Sequence, residues 1–99
     1  MTLDALKMLL AVCHDRVAEE VREKLRLSYE EVLKADAEAR RQKASQMILS
    51  IHRLKVALER LQFTYKKFLE AGCKIAELEQ MMRNTEREIK LLSLKKNHN

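Results

Sequence analysis

The chain contains no proline and a single glycine, Gly72, among its 99 residues. Sheets and sandwiches need turn residues every ~8–12 positions, and this chain cannot supply them. Aromatic residues make up only 4% of the chain, whereas alanine, leucine, glutamate, lysine and arginine, all strong helix formers, dominate it. The sequence therefore predicts an all-α fold of long amphipathic helices that form a coiled coil or an antiparallel helical hairpin or bundle.

A core of mainly aliphatic side chains requires helices to pack against one another. A single helix in isolation buries almost none of its surface, so the partner helices come from the same chain or from another one, and an oligomer is expected. At about 100–150 residues per domain, the chain corresponds to one domain. We predict that this domain spans residues 1–94 and that a frayed polar tail follows at 95–99.

The sequence predicts that a helix begins at the first residues of the chain. Thr2 followed by Asp4 is typical of an N-cap and an acidic first turn. The apolar spacing then contains an extra four-residue step around 17–25, which resembles a stutter that locally unwinds a heptad supercoil. Ser28 with Glu31 fits the spacing of a capping box, so either a new helix begins there or the serine lies inside a helix. Residues 34–46 are rich in alanine and charge. They are either a solvated stretch of one long helix or the bend between two helices.

The clearest pattern lies in the second half, where apolar residues occupy successive a and d heptad positions. This predicted coiled-coil seam comprises Ile51, Leu54, Leu58, Leu61, Tyr65, Phe68 and Ile75. At Gly72 the frame slips by two successive three-residue steps. We therefore expect a bend or a close helix crossing at this glycine.

A second apolar row follows heptad position f, almost opposite the seam. Leu49, Val56 and Phe63 are spaced by seven, and a two-stranded coiled coil would place polar residues there. The pattern favours the central helix of a bundle, in which this f row belongs to the core. The alternative is a face that receives a partner protein. In that case the anchors are Leu49, Val56 and Phe63, and the basic rim is Arg53, Arg60 and Lys67.

Position g of the same helix carries small side chains. These residues are Ser50, Ala57, Thr64 and Ala71. A parallel dimer would carry charged residues there, whereas small residues allow another backbone to approach closely. The g row therefore favours antiparallel helix packing.

Charge is distributed unevenly along the chain. Residues 1–39 carry nine acidic and six basic side chains, a net charge of −3, whereas residues 40–68 carry eight basic side chains and one acidic, a net charge of +7. The two segments either neutralise each other in an antiparallel fold or leave the basic one facing an acidic partner. Four basic residues share heptad position c: Arg53, Arg60, Lys67 and Lys74. They form either a solvated face of the helix or a stripe that binds a charged partner.

The two cysteines, Cys13 and Cys73, match neither a disulfide framework nor a paired-cysteine metal site. A reducing compartment is the simpler interpretation, and we expect a cytoplasmic protein, with the nucleus as the alternative. The longest apolar run, from Leu9 to Cys13, is far shorter than the ~20 residues that cross a bilayer. No membrane span is therefore predicted.

No catalytic or cofactor site can be assembled from the sequence. The three histidines have no metal-ligand spacing with the cysteines, and no glycine-rich phosphate loop is present. We expect a protein without enzymatic activity, cofactor or metal that acts as a protein–protein interaction module. It would be a scaffold, an adaptor or a subunit of a larger helical assembly, joined to its partners through coiled-coil seams. The alternative is a basic helical nucleic-acid-binding module that uses residues 40–68, although stacking aromatics are not interleaved with its bases.

Overall fold

The computed structural model describes residues 2–41 and 47–97, which form four helices and no strand. The helices are α1 (Leu3–Val12), α2 (Glu19–Arg41), α3 (Met47–Glu70) and α4 (Ala76–Asn97). They pack into a rod of 49 × 18 × 18 Å around one continuous hydrophobic core. The predicted all-α fold is therefore confirmed for the described part of the chain.

The first helix begins where the sequence predicts, at an N-cap threonine. The Thr2 side chain accepts a hydrogen bond of 3.2 Å from the Ala5 amide, and Asp4 lies in the first turn. Leu6 and Leu10 of α1 are buried. α1 packs against the beginning of α2 and is the shortest of the four helices.

A break between two helices lies where the spacing suggested a stutter, because α1 ends at Val12 and α2 begins at Glu19. Ser28 lies inside α2, so no helix begins there. Side chains replace the turn residues that are absent at the break between α1 and α2. The His14 ring lies 2.9 Å from the Ala11 carbonyl oxygen, and the Arg22 guanidinium donates to the Val17 carbonyl oxygen at 3.1 Å. These contacts satisfy backbone acceptors at the break, so the chain turns without glycine or proline.

The second and third helices run antiparallel and form the most extensive helix pair. Arg53 pairs with Glu38 at 3.5 Å and Arg60 pairs with Glu31 at 3.3 Å. The acidic segment 1–39 and the basic segment 40–68 therefore neutralise each other in part. This agrees with the first of the two alternatives, an antiparallel fold of the two segments. The chain reverses between α2 and α3, so residues 34–46 do not belong to one long helix; residues 42–46 themselves lie outside the described residues.

The heptad pattern of α3 correctly identified the side chains that fill the core. The predicted seam residues within α3 are at most 5% exposed: Ile51, Leu54, Leu58, Leu61, Tyr65 and Phe68. Ile75 is also buried, but it lies beyond the end of α3 and therefore outside this seam. The small g row is also covered, since Ser50, Ala57 and Thr64 are buried and Ala71 is half-buried. α3 therefore buries a broad face that includes positions a, d and g.

The register slip at Gly72 corresponds to a reversal of the chain. α3 ends at Glu70, and Gly72 has a φ of +79°, a left-handed conformation that glycine adopts without steric cost. The Cys73 amide donates to the Phe68 carbonyl oxygen at 2.8 Å and the Gly72 amide donates to the Leu69 carbonyl oxygen at 3.0 Å. These two bonds form a Schellman motif that ends the helix.

The reversal also changes the position of a predicted base. Lys74 lies in the α3–α4 connection, so it does not extend the c row of Arg53, Arg60 and Lys67 as the spacing predicted. α4 extends to Asn97, and the frayed tail at 95–99 stays a prediction. Residues 98–99 lie outside the described residues.

A buried tyrosine joins the end of α3 to the beginning of α4. The Tyr65 hydroxyl accepts a hydrogen bond of 2.8 Å from the Ile75 amide and donates to the Glu79 carboxylate. Burial and the neighbouring Glu79 raise the pKa of Tyr65 to about 12. The hydroxyl therefore stays protonated at neutral pH and can act as donor and acceptor together.

Replacing Tyr65 by phenylalanine is expected to lower the free energy of unfolding by about 1–3 kcal/mol, because the buried Ile75 amide loses its acceptor. Urea denaturation followed by circular dichroism measures this change. Glu79→Gln is the matched control, since the amide oxygen still accepts from the hydroxyl. Equal stability of Tyr65→Phe and the wild type would show that this hydrogen bond is not formed.

The two cysteines form a disulfide bond, contrary to the expectation from their spacing. Cys13 follows α1 and Cys73 follows α3, and their Cα atoms are 6.3 Å apart. Antiparallel packing brings the α1–α2 and α3–α4 connections to the same end of the rod, which sequence separation does not reveal. Beside the disulfide, the Arg16 guanidinium donates to the Gly72 carbonyl oxygen at 2.9 Å.

Candidate protein-docking surface

The apolar f row of α3 lies at the surface rather than in the core. Phe63 is 67% exposed, Leu49 is 55% exposed, and Val56 is half-buried. The interpretation of this row as core is therefore wrong, because α2 covers the g side of α3 and leaves the f side open. Of the two alternatives for Leu49, Val56 and Phe63, the partner-binding face is the one compatible with their exposure.

Val56 lies in a groove between α2 and α3. The groove has two neighbouring sections of about 450 Å³ and about 600 Å³, both lined by Glu31, Val56 and Arg60. Small side chains contribute to its lining: Ser28 and Ala35 from α2, and Ala57 and Thr64 from α3. Small side chains therefore form its floor, and the Arg53–Glu38 and Arg60–Glu31 ion pairs connect its two sides.

The α2 side of the groove adds a contact that the sequence analysis did not identify. Leu27 is 47% exposed and lines the same section of the groove as Phe63. Leu27 lies off the spacing of the buried residues Leu25 and Tyr29 in α2. A search for apolar residues outside the main stripe of each helix would have found it.

The predicted basic rim borders this apolar row. The side chains of Arg53 and Arg60 are 57% and 65% exposed, although each pairs with a glutamate of α2. Such exposed pairs contribute about 0–1 kcal/mol and compete weakly with a new acceptor. The Lys67 ammonium lies 5.2 Å from the centre of the Phe63 ring, within the range of a cation–π interaction.

We call this region the docking surface and define it by twelve residues of α2 and α3. Its apolar members are Leu27, Leu49, Val56 and Phe63, and its charged members are Lys24, Glu31, Lys34, Glu38, Arg53, Glu59, Arg60 and Lys67. Five of the charged side chains are basic and three are acidic. The docking surface therefore combines exposed apolar area with a positive surplus.

A different groove, between α2 and α4, holds a charged cluster. The Arg40 guanidinium contacts Glu88 at 2.7 Å and Asp36 at 3.3 Å, and one Asp36 carboxyl oxygen is buried without a hydrogen-bond partner. Burial and the neighbouring Glu88 carboxyl raise the pKa of Asp36 to about 6. Burial alone would raise the pKa of Glu88, but hydrogen bonds from Asp36 and Arg40 lower it.

This cluster predicts that the protein becomes more stable as the pH falls from 7 towards about 4.5. The pKa of Asp36 is about 6 in the folded state against 3.8 ordinarily, so the folded state binds this proton more tightly. Glu88 has a lowered pKa, so its protonation destabilises the folded state. This loss of stability begins only near its ordinary pKa of 4.5. Asp36→Asn should remove this dependence and raise the free energy of unfolding at neutral pH by about 1 kcal/mol.

Urea denaturation across this pH range measures the effect, with the exposed Glu59→Gln as a control that keeps the wild-type dependence. A stability that falls steadily from pH 7 to 4.5 in the wild type would contradict the raised pKa of Asp36.

Neither a metal site nor a membrane span is found within residues 2–41 and 47–97. No group of three or more His, Cys, Asp or Glu side chains there could hold a metal ion. None of the helices there is long and apolar enough to cross a bilayer. Comparison with protein-family models, curated proteins and solved structures found no match. The docking surface is therefore interpreted from its own chemistry.

Proposed function

We propose that this protein is a non-enzymatic interaction module, a scaffold or adaptor, that binds a partner protein through the docking surface. The exposure of Phe63, 67% in a row with Leu49 and Val56, is the observation that carries the proposal. Large aromatic side chains surrounded by arginine are typical of the residues that dominate binding energy in protein interfaces. The predicted seam is buried within the chain itself, so the proposal places partner binding on the f row.

The nucleic-acid alternative has less support from the contacts of the basic segment. Lys74 lies outside the row, which leaves three bases where the spacing predicted four. Phe63 and His52 line different sections of the groove and are eleven residues apart in α3, which is a sparse platform for base stacking. A protein partner uses the apolar residues as well as the bases, whereas a phosphate backbone uses only the bases.

The proposal also covers the cellular compartment of the protein and its association with other chains. A disulfide between Cys13 and Cys73 favours an oxidising compartment over the reducing cytoplasm that the sequence suggested. Trapping free thiols with a maleimide reagent directly in cells distinguishes the two compartments. Cys13 and Cys73 should escape labelling in an oxidising compartment and should both be labelled in a reducing one. We further propose that the assembly is with another protein, since the chain buries its own seam.

Site-specific photo-crosslinking in cells tests the proposed function. A benzophenone amino acid replaces Phe63 in one variant and Leu91 in the other. Leu91 is also 67% exposed but lies on the separate α2–α4 groove, which makes it a matched control. We expect a discrete protein adduct from position 63 and none from position 91. Equal adducts at both positions, or no protein adduct at position 63, would contradict the proposal, and a nuclease-sensitive adduct would support the nucleic-acid alternative.

A further inference from the structure

We infer that the partner segment bound by the docking surface is an amphipathic helix whose apolar stripe is flanked by acidic side chains. This inference rests on the proposed function and names the chemistry of the partner. Three features of the docking surface carry it: the length and direction of the apolar row, the small side chains lining the groove, and the surplus of positive charge.

The apolar row has the dimensions of a bound helix. Leu49 and Phe63 are fourteen residues apart on one helix, about 21 Å at a rise of ~1.5 Å per residue. The groove between two antiparallel helices runs along their axes, so an elongated segment can follow it for about four turns. Amphipathic helices bind such grooves through apolar side chains at positions i, i+3 or i+4, and i+7.

The groove offers a place for the apolar anchors of such a helix. Ala35 and Ala57 lie on opposite helices and contribute little volume to the section that Val56 lines. In the next section, Leu27 and Phe63 stand exposed on opposite helices. A leucine or phenylalanine of a third helix can therefore lie in this groove and contact Leu27 on α2 and Phe63 on α3.

The charges beside the groove determine the kind of helix that fits. Lys24 and Lys34 on α2 and Lys67 on α3 make no ion pair with any described residue, and the Lys67 ammonium lies over the Phe63 ring. Arg53 and Arg60 remain more than half exposed. Acidic side chains along the flanks of a bound helix would meet these bases, whereas basic ones would meet like charge.

The same charges argue against a second copy of this chain as the occupant. A symmetric dimer places the same patch on both sides of the interface, so the five bases of one docking surface would face those of the other. The whole chain carries a net charge of +5, which adds to this repulsion. An acidic segment of a different protein is more complementary in charge to the docking surface.

Fluorescence anisotropy with two labelled synthetic peptides tests the inference on the full chain. Both peptides are about 18 residues long, or five turns, with leucine at i, i+4 and i+7. Glutamate flanks the leucines in one peptide and lysine in the other. We expect the acidic peptide to bind at least ~10-fold more tightly than the basic one, and its affinity to fall as salt is raised.

Two variants connect this binding to the docking surface. Phe63→Asp with Val56→Asp should weaken binding of the acidic peptide by at least ~10-fold, whereas the control Leu91→Asp should leave it within ~2-fold. Lys34→Glu with Lys67→Glu should weaken the acidic peptide and strengthen the basic one, and it breaks no ion pair among the described residues. Circular dichroism confirms that each variant is folded.

The outcomes separate the inference from the proposed function. Equal or tighter binding of the basic peptide, or no binding of the acidic one, overturns the acidic-helix inference. A protein adduct at position 63 would then still support the docking surface itself. Tighter binding of a labelled single-stranded oligonucleotide than of the acidic peptide, retained in Phe63→Asp with Val56→Asp and weakened in Lys34→Glu with Lys67→Glu, overturns the inference in favour of nucleic acid. If the acidic peptide does not bind and no protein adduct forms at position 63, both the acidic-helix inference and the proposed function are overturned.

Discussion

Replacing Phe68 by alanine is expected to lower the free energy of unfolding by about 3–5 kcal/mol. Phe68 is fully buried, and its ring stacks on Tyr65 with the ring centres 6.5 Å apart. Truncation removes this contact and leaves a cavity in a close-packed core. Urea denaturation followed by circular dichroism measures the loss.

Phe63→Ala is the matched control, because it makes the same chemical change five residues earlier in the same helix. Phe63 is 67% exposed, so its truncation should change the free energy of unfolding by less than about 0.5 kcal/mol. If both variants lose similar stability, α3 is oriented differently from the structure. The docking surface would then lose its main residue.

Loss of the disulfide is expected to lower the free energy of unfolding by about 4 kcal/mol. Cys13 and Cys73 close a loop with a sequence separation of 60, and the cross-link restricts the unfolded chain. The connection also holds α1, a helix of 10 residues that would be marginal in isolation. Denaturation with and without a reducing agent measures the loss.

Cys13→Ala with Cys73→Ala is the control for this experiment. It should show the reduced stability and no further response to the reducing agent. Cys13 is only 3% exposed, so alanine avoids placing a new polar group in the core. Equal stability of the oxidised and reduced wild type would contradict a disulfide in the native fold.

Phe68 is fully buried and Phe63 is 67% exposed, so the proposed binding face of α3 is separate from the face that supports the fold. The core positions a, d and g support the fold, and the f row adds almost nothing to it because it faces solvent. Full burial of a phenylalanine side chain is worth about 1.5–3 kcal/mol. This free energy is available at Phe63 when a partner covers it. Mutations in the f row should therefore impair binding without unfolding the protein.

Helical periodicity predicted much of the fold because burial follows heptad positions within one helix. The buried seam from Ile51 to Phe68 and the N-cap at Thr2 depend only on local spacing. The chain reversal at Gly72 left a local signal for the same reason, since the register changed there. The f row was detected by its spacing, although its position inside or outside the core was not decided correctly.

Features that depend on contacts between distant residues could not be predicted in the same way. The Cys13–Cys73 bond requires two connections to meet at one end of the rod, and nothing in their sequence separation indicates this. The break between α1 and α2 uses the side chains of His14 and Arg22 in place of turn residues. The contribution of Leu27 to the docking surface requires the position of α2 beside α3.

Sedimentation equilibrium of the isolated chain, combined with circular dichroism, tests the central claim most directly. The claim is that one chain closes its own helical core and leaves the docking surface open. We predict a helical monomer that unfolds cooperatively and does not self-associate as the concentration is raised. A stable oligomer that dissociates on Phe63→Asp, or a monomer without helical structure, would contradict the account.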